Sequence, residues 1–171
     1  MEAITINTEK LFDLDNINSF AKEWKEAAIG NKVLAYYCSH MPEEILYAAD
    51  ILPYRLSGTG VTDDSQAETY LSPFSCSFCR ACFQKFLNGS YDFLDGFVAS
   101  DGCLQPQRVF DNWKFYVRKE DQFVHQFNAP RVYDESALGM YRREMLDLKN
   151  AVERFGNYVT NEKLINAIKV Y

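Results

Sequence analysis

Three cysteines lie close together in the segment CSFCRAC, and a fourth follows in SDGC; they are Cys76, Cys79, Cys82 and Cys103. Thiols at such short spacing can ligate zinc or an iron–sulfur cluster, form a redox pair, or simply be buried side chains. The choice depends on the elements that carry them.

The segment 76–88 is predicted to be a helix that Ser75 caps and Asn88–Gly89 ends. On such a helix Cys76 and Cys82 lie roughly 9 Å apart along the axis and point about 120° apart. One metal centre cannot easily hold both.

The helical wheel separates the close cysteines further. Cys79 and Cys82 point with Phe83 and Phe86 along the apolar stripe, which favours core thiols. Cys76 lies at the first turn, where backbone N–H groups and the helix dipole stabilise a thiolate. Cys103 also follows a strand and precedes a helix, so two strand-end thiols could share one metal centre at a single crevice.

Strands and helices alternate along the chain, which predicts a parallel sheet with helices on both faces, an α/β fold of Rossmann or flavodoxin type. Four strands are predicted, over 32–38, 53–58, 93–100 and 122–128. The predicted helices are one over 8–29 capped by Thr8 and ended by Gly30, one starting near Pro42, the helix over 76–88, one from Pro106 through Trp113, a long one over 134–155 ended by Gly156, and a last one capped by Thr160. A mobile loop with a solvated Asp63–Asp64 turn is predicted over 59–69.

The chain is expected to be a single α/β domain in the amino-terminal part of a longer subunit. It would comprise a helical lead over 1–30, an α/β core over 31–133 and a helical extension over 134–171. The last helix carries no visible stop signal, which suggests that the polypeptide continues.

Polar residues at the strand-to-helix junction 38–44 are the other candidates, because ligands collect at the carboxyl ends of parallel strands. Ser39, His40 and Glu44 could polarise a substrate or move a proton. The plainer interpretation makes Ser39 or His40 a helix cap and Glu44 a first-turn carboxylate. His125, in a strand-like segment, is expected to be a satisfied core histidine.

Composition limits the function classes. The 171 residues are 47% apolar and 15% aromatic, carry a net charge of −6 and contain no basic run. Nucleic acid and anionic membrane surfaces are therefore poor partners. The acidic amino terminus does not resemble a signal peptide, so the cytoplasm is the expected compartment and the cysteines are expected to be thiols or ligands.

The motifs are similar to those of the 2-hydroxyacyl-CoA dehydratase and benzoyl-CoA reductase family, in its iron–sulfur subunits, also called D-components. The similarity rests on YYCSHMPEEILYAADILPYRLSG, CSFCRACF and GSYDFLDGFVASDGCLQPQRVFDNW, in the family order, and covers roughly residues 30–135. The tail VTNEKLINAIKVY also resembles the family's helical continuation.

The resemblance implies a [4Fe–4S] cluster held by three cysteines, two of which correspond to Cys76 and Cys103. The third would come from a second domain outside this segment, and Cys79 or Cys82 would be awkward substitutes. The implied partners are a related second subunit, in a heterodimer or homodimer, an ATP-hydrolysing activator protein and an acyl-CoA substrate.

The implied chemistry is ATP-driven one-electron transfer that makes a ketyl radical from the thioester, for dehydration or ring reduction. The enzyme would be a lyase or an acyl-CoA reductase, and this segment alone would be inactive. Two alternatives stay open: a double-cubane-type iron–sulfur reductase of small molecules, in which Cys79 or Cys82 would be ligands, and a non-catalytic α/β interaction domain.

Overall fold

A four-stranded parallel sheet forms the centre of the computed structural model, which describes residues 14–171. The strands are β1 (Lys32–Tyr36), β2 (Ile51–Arg55), β3 (Gly96–Ser100) and β4 (Phe123–Phe127), in the order β2-β1-β3-β4. The α/β fold with a parallel sheet is therefore confirmed. Gly96 is required by the β3–β4 pairing, because a Cβ there would lie 2.3 Å from the Phe123 carbonyl oxygen.

Helices cover both faces of the sheet. They are α1 (Leu14–Ala27), α2 (Glu43–Ala48), α3 (Ser65–Glu68), α4 (Ser77–Leu87), α5 (Leu104–Tyr116), α6 (Glu135–Phe155) and α7 (Asn161–Val170). We call the side covered by α1, α4 and α5 the thiol face, and the side covered by α2, α6 and α7 the cleft face. Alternation along the strands divides the core accordingly, since Phe97 packs on the thiol face and Val98 on the cleft face.

The predicted elements are largely present, with shifted ends. The strand predicted over 93–100 begins only at Gly96, and α5 begins at Leu104 rather than Pro106. Pro106 still fits, because a first-turn residue has no intrahelical N–H bond to lose. The amino-terminal helix is described from Leu14, so the predicted Thr8 cap lies outside the described residues.

The loop predicted as mobile over 59–69 is partly helical and is tied to α4. The Gln84 Oε1 atom accepts a hydrogen bond from the Ala67 N–H at 3.1 Å, and Asp64 forms an ion pair with Arg80 at 2.8 Å. Gly58 allows the close approach, because a Cβ there would lie 2.7 Å from the Ala81 Cβ. Asp64 is thus not merely a solvated turn residue.

Candidate functional site

The carboxyl edge of the sheet contains a switch in chain direction between its two central strands. After β1 the chain enters α2 on the cleft face, whereas after β3 it enters α5 on the thiol face. Neighbouring strands whose connections leave in opposite directions open a crevice at their carboxyl ends. The residues after β1 and β3 therefore border the natural ligand position of this fold.

Cys76 and Cys103 occupy equivalent positions on the thiol face. Cys76 is the N-cap of α4 and Cys103 is the N-cap of α5; both are exposed, and neither makes a side-chain capping hydrogen bond. The two helices pack against each other, and both begin at the carboxyl edge. Their positive dipole ends favour an anionic ligand at this place.

Cys79 lies one turn inside α4 and is only 1% exposed. Burial raises the pKa of its thiol to about 12, and the Cys76 thiol and then the Cys103 charge add to the shift. Cys76 and Cys103 are exposed, whereas Cys79 is buried beneath the surface of α4. The shared metal centre of Cys76 and Cys103 stays a prediction.

Cys82 belongs to the core, as its helical position predicted. It is fully buried, and burial first and then the Cys79 charge raise the pKa of its thiol to about 12. Tyr37 packs beside these two thiols, and burial raises the pKa of its hydroxyl well above the usual value. These groups fill the interior behind Cys76 and Cys103.

Arg80 holds in place the chain segment that precedes Cys76. Its guanidinium donates to the carbonyl oxygens of Pro73 at 2.7 Å and Ser75 at 3.1 Å, in addition to its ion pair with Asp64. Arg80 is therefore an intrachain clamp on the segment before α4. The predicted Ser75 cap is wrong. Ser75 lies in a turn in which its N–H donates to the Ser72 carbonyl oxygen, and the N-cap of α4 is Cys76.

Cys38 is a residue of the edge that the sequence interpretation left out. Its sulfur lies 3.5 Å from His40 Nδ1, directly after β1. A Cβ on Gly102 would lie 3.0 Å from His40 Nδ1 and 3.2 Å from the Cys38 sulfur, so the two junctions touch here. The strand-end rule that selected Cys103 would also have selected Cys38.

A cleft of about 590 Å³ opens on the cleft face of the same edge. Ser39, His40 and Glu44 line one wall, so the structure brings all three predicted polar residues together. The opposite wall consists of the loop after β4 and the start of α6, including Tyr141 and Met145. The residues that line this cleft include none of the four cysteines in the predicted metal pattern.

The caps expected for α2 are wrong. Pro42 is the N-cap and makes no side-chain hydrogen bond, while Ser39 and His40 lie in a turn closed by the Met41 N–H and the Cys38 carbonyl at 3.0 Å. Both side chains are exposed. They are consequently free of the capping role that the plainer interpretation gave them.

Acidic groups shape the electrostatics of the cleft. Burial first, and then a hydrogen bond to Glu43, raises the pKa of the Tyr36 hydroxyl. Burial and the charges of Glu43 and Glu44 contribute to raising the pKa of Tyr171 to about 12. A neutral or apolar group therefore suits this cleft better than a phosphate.

Two carboxylates, one on the loop after β3 and one on α6, hold the far wall in place. Asp101 accepts a hydrogen bond from the Ala129 N–H at 3.0 Å, and Glu144 accepts one from the Asn128 N–H at 2.9 Å. Asp101 follows β3, so it couples the wall of the cleft to the segment that leads into Cys103.

His125 differs from the expected satisfied core histidine. Its Nε2 atom is buried and has no hydrogen-bond partner among the described residues. Burial lowers the pKa of its imidazole, because the charged form loses solvation. It stacks on Phe123 on the outer strand, away from the crevice.

Two negative findings hold for residues 14–171. Within them, no three Cys, His, Asp or Glu side chains are arranged to hold a metal ion. No helix in this part of the chain has the length and apolar character needed to cross a membrane.

Comparison with known proteins gives consistent matches. The profile of the family described as "2-hydroxyglutaryl-CoA dehydratase, D-component" matches residues 38–171. One of the benzoyl-CoA reductase subunits of Thauera aromatica is 29% identical over 154 residues, which cover 88% of this chain and 39% of that protein.

Two dehydratase subunits are similar to a comparable degree. The (R)-phenyllactyl-CoA dehydratase beta subunit of Clostridium sporogenes is 25% identical over 96% of this chain and 45% of its own length. The beta subunit of (R)-2-hydroxyglutaryl-CoA dehydratase from Acidaminococcus fermentans is 27% identical over 86% of this chain and 39% of its own length. The chain thus spans less than half the length of these relatives. It belongs to the 2-hydroxyglutaryl-CoA dehydratase D-component family.

Proposed function

We propose that this chain is part of an iron–sulfur subunit of a 2-hydroxyacyl-CoA dehydratase or benzoyl-CoA reductase-like enzyme, and that Cys76 and Cys103 bind a [4Fe–4S] cluster. The observation that carries the proposal is the placement of two exposed thiols as N-caps of neighbouring helices at one edge of the sheet. Family membership supports it independently.

The donor set fits the cluster in part. Thiolate sulfurs are the usual ligands of iron–sulfur clusters, and two helix N-termini favour a negatively charged group. The third ligand is proposed to come from outside this segment. Cys79 and Cys82 are proposed to stay core thiols, because both are buried.

The bound cluster would supply one-electron chemistry and one iron position open to a thioester oxygen. The chain's own contribution is the environment. Arg80 fixes the segment before Cys76, and the buried thiols and rings behind it exclude water from that side. A dry surrounding strengthens every electrostatic interaction at the reacting group.

The cleft is proposed to receive the acyl part of an acyl-CoA. The Ser39 hydroxyl can donate a hydrogen bond to a substrate oxygen, and the His40 imidazole can donate or accept one. Glu44 can accept a hydrogen bond from a substrate hydroxyl, and the apolar wall at Tyr141 would bind hydrocarbon. A related second subunit and an ATP-hydrolysing activator are proposed as partners, since the relatives are themselves named as subunits.

Anaerobic iron and sulfide loading tests the proposal. A longer polypeptide that also carries the proposed third ligand, mixed with a related second subunit, is expected to take up iron with the broad absorbance of a cluster. Cys76→Ser and Cys103→Ser should each abolish the uptake, whereas Cys82→Ala, the matched control, should retain it.

Other outcomes would contradict this assignment. Uptake that depends on Cys79 or Cys82 would favour the double-cubane alternative. Absence of uptake under every condition would favour an interaction domain without a cluster.

A further inference from the structure

The last helix, α7, carries apolar side chains on two different sides. On its inner side Ala167 is fully buried, and Leu164 packs against the core of the cleft face. Ile165 and Ile168 lie outside that core and are 54% and 60% exposed. A surface helix normally buries one apolar stripe and keeps its other side polar, so the outer side of α7 departs from this pattern.

The exposed apolar surface continues from α7 onto α6. Ile168 borders a groove of about 360 Å³ between the two helices, and Met145 and Leu146 of α6 line the same groove. Leu146 is itself 48% exposed. A contiguous apolar surface of this kind marks an interaction site, whereas a single exposed apolar side chain does not.

Two charged side chains lie on the outer side of α7. Glu162 is exposed in the first turn, and Lys169 is exposed in the last turn. Neither forms an ion pair within residues 14–171, although the adjacent Lys163 pairs with Asp50. The helix dipole favours this order of signs, so the signs alone do not indicate a partner. What distinguishes α7 is the exposed Ile165 between the two charges.

Helix geometry places these three side chains on one stripe. With 3.6 residues per turn, Glu162, Ile165 and Lys169 fall within about 60° of one another around the axis. Glu162 and Lys169 lie about 10 Å apart along the axis, and Ile165 is close to the midpoint. The order along the stripe is acidic, apolar, basic, so the stripe is complementary to itself when it is turned end for end.

We propose that α7 is a self-association surface, on which a second copy of this chain docks with its own α7 antiparallel. Ile165 packs against Ile165 of the partner subunit, and Glu162 pairs with Lys169 of the partner subunit. Two-fold symmetry repeats the ion pair, because each contact in an isologous interface occurs twice. Both Ile168 side chains then lie on the α6 side, where the groove and Leu146 extend the apolar surface.

The resulting dimer is expected to be weak. The ten residues of α7 span about 15 Å, so the area that this helix buries lies at the lower end of the range for specific interfaces. The apolar centre supplies the affinity. The exposed ion pairs contribute little affinity and instead fix the antiparallel arrangement.

The self-association surface is separate from the proposed cluster ligands. Helix α7 lies on the cleft face, whereas Cys76 and Cys103 begin helices on the thiol face. Association therefore requires neither iron nor an acyl-CoA, and its failure would leave the proposed function standing.

Sedimentation velocity of the intact chain tests the proposal. The protein is studied over about 1–300 μM, because interfaces near the lower size limit are weak. Dithiothreitol keeps the exposed Cys76 and Cys103 from crosslinking. We expect a concentration-dependent shift from monomer to dimer. Ile165→Glu should abolish the shift, whereas Ile29→Glu, the matched control at a fully exposed isoleucine outside α7, should retain it.

Charge reversals test the antiparallel arrangement. Glu162→Lys and Lys169→Glu should each weaken the dimer by about tenfold or more, because each places two like-charged pairs across the interface. An equimolar mixture of the two variants should dimerise like the parent chain, because both pairs across the mixed dimer are then opposite in charge. Each variant has the same altered helix dipole compensation in the mixture as alone, so the recovery cannot come from a change in helix stability.

Three results would overturn the inference. The first is a parent chain that stays monomeric over the whole concentration range. The second is a dimer that Ile165→Glu leaves intact. The third is a mixture of the two charge variants that associates no more strongly than either variant alone.

Discussion

The two faces of the sheet reach the same carboxyl edge with different packing. Behind the thiols, Phe97 makes edge-to-face contacts with Tyr37 and Phe110 at 5.2 Å and with Trp113 at 5.5 Å. Behind the cleft, the core is mainly aliphatic, with Leu148 as one of its fully buried members. Large interlocking rings fix relative positions more strictly than flexible aliphatic chains do.

The helix ends at the edge differ in the same sense. Neither helix has a side-chain cap, but the start of α4 is clamped by Arg80, whereas α2 has only six residues. A site that must hold two sulfur atoms at fixed separation benefits from the first arrangement. A cleft that must admit and release a molecule tolerates the second. The more firmly held thiol face thus suits the proposed cluster ligands, and the less firmly held cleft face suits the proposed substrate.

Truncation of the two cores gives the largest expected effect. Phe97→Ala should lower the free energy of unfolding by about 3–5 kcal/mol, because a fully buried ring and its contacts are lost. Leu148→Ala, on the cleft face, should cost about 2–5 kcal/mol and should not exceed the Phe97 loss. Urea denaturation of both variants measures the comparison, and a Phe97→Ala loss no greater than that of a surface substitution would refute the rigid thiol face.

Release of the clamp is the next test. Arg80→Gln removes the ion pair with Asp64 and the charged donor to two carbonyl groups, so amide hydrogen exchange across residues 64–75 should become faster. Arg108→Gln is the matched control, because Arg108 is 75% exposed and makes only a 3.6 Å pair within α5. Unchanged exchange in the Arg80 variant would mean that the loop is held by other contacts.

Gly102→Ala tests the boundary between the two regions. The added Cβ would lie closer than ordinary van der Waals contact to His40 Nδ1 and the Cys38 sulfur, so it should displace the exposed His40 ring and break the 3.5 Å contact. We expect a change in the His40 ring resonances by NMR with an unfolding free energy altered by less than about 1 kcal/mol. Gly139→Ala, whose Cβ meets nothing within 4 Å, should leave the His40 resonances unchanged.

His125 should give the smallest effect, a pH dependence on the outer strand. Its folded pKa is lowered by burial, so the unfolded chain binds a proton first as the pH falls below about 6.5. The free energy of unfolding that neutral His125 contributes above that pH is lost as the pH falls towards the lowered pKa of His125 in the folded chain. Glu144 and Asp147 oppose the shift and Arg154 adds to it.

The measurement compares unfolding free energies at pH 7.5 and 5.5. His125→Gln should reduce the difference relative to the parent chain, because its side chain does not titrate. An equal or larger difference in the variant would show that His125 does not contribute.

Local patterns predicted much of the fold. The Thr160 side chain caps α7 by accepting a hydrogen bond from the Lys163 N–H, and Gly156 follows the end of α6, both as predicted. Asp134, predicted as the first residue of the long helix, is its N-cap and accepts from the Ala137 N–H. The expected caps at Ser39 and Ser75 failed because both serines lie in turns that are closed by backbone hydrogen bonds. A polar residue before a helix caps it only when the backbone directs its side chain towards the free N–H groups of the first turn.

Helical periodicity likewise placed the thiols correctly. It assigned Cys79 and Cys82 to the interior and Cys76 to the first turn of α4. It could not show that Cys38 and His40 lie against Gly102, because that approach depends on how β1 and β3 pair and on where their following loops run.

The sequence by itself determined the alternation of strands and helices, the burial of two cysteines and the exposure of two others, because these follow from side-chain polarity and from repeats of two and 3.6 residues. Only the tertiary structure decided which strand ends and helix starts lie beside each other. The order of the strands and the opposite crossings of α2 and α5 place Cys76 and Cys103 at the starts of two neighbouring helices and Ser39 on the wall of a cleft on the other face. Such neighbours are set by contacts between distant parts of the chain, which no local repeat encodes.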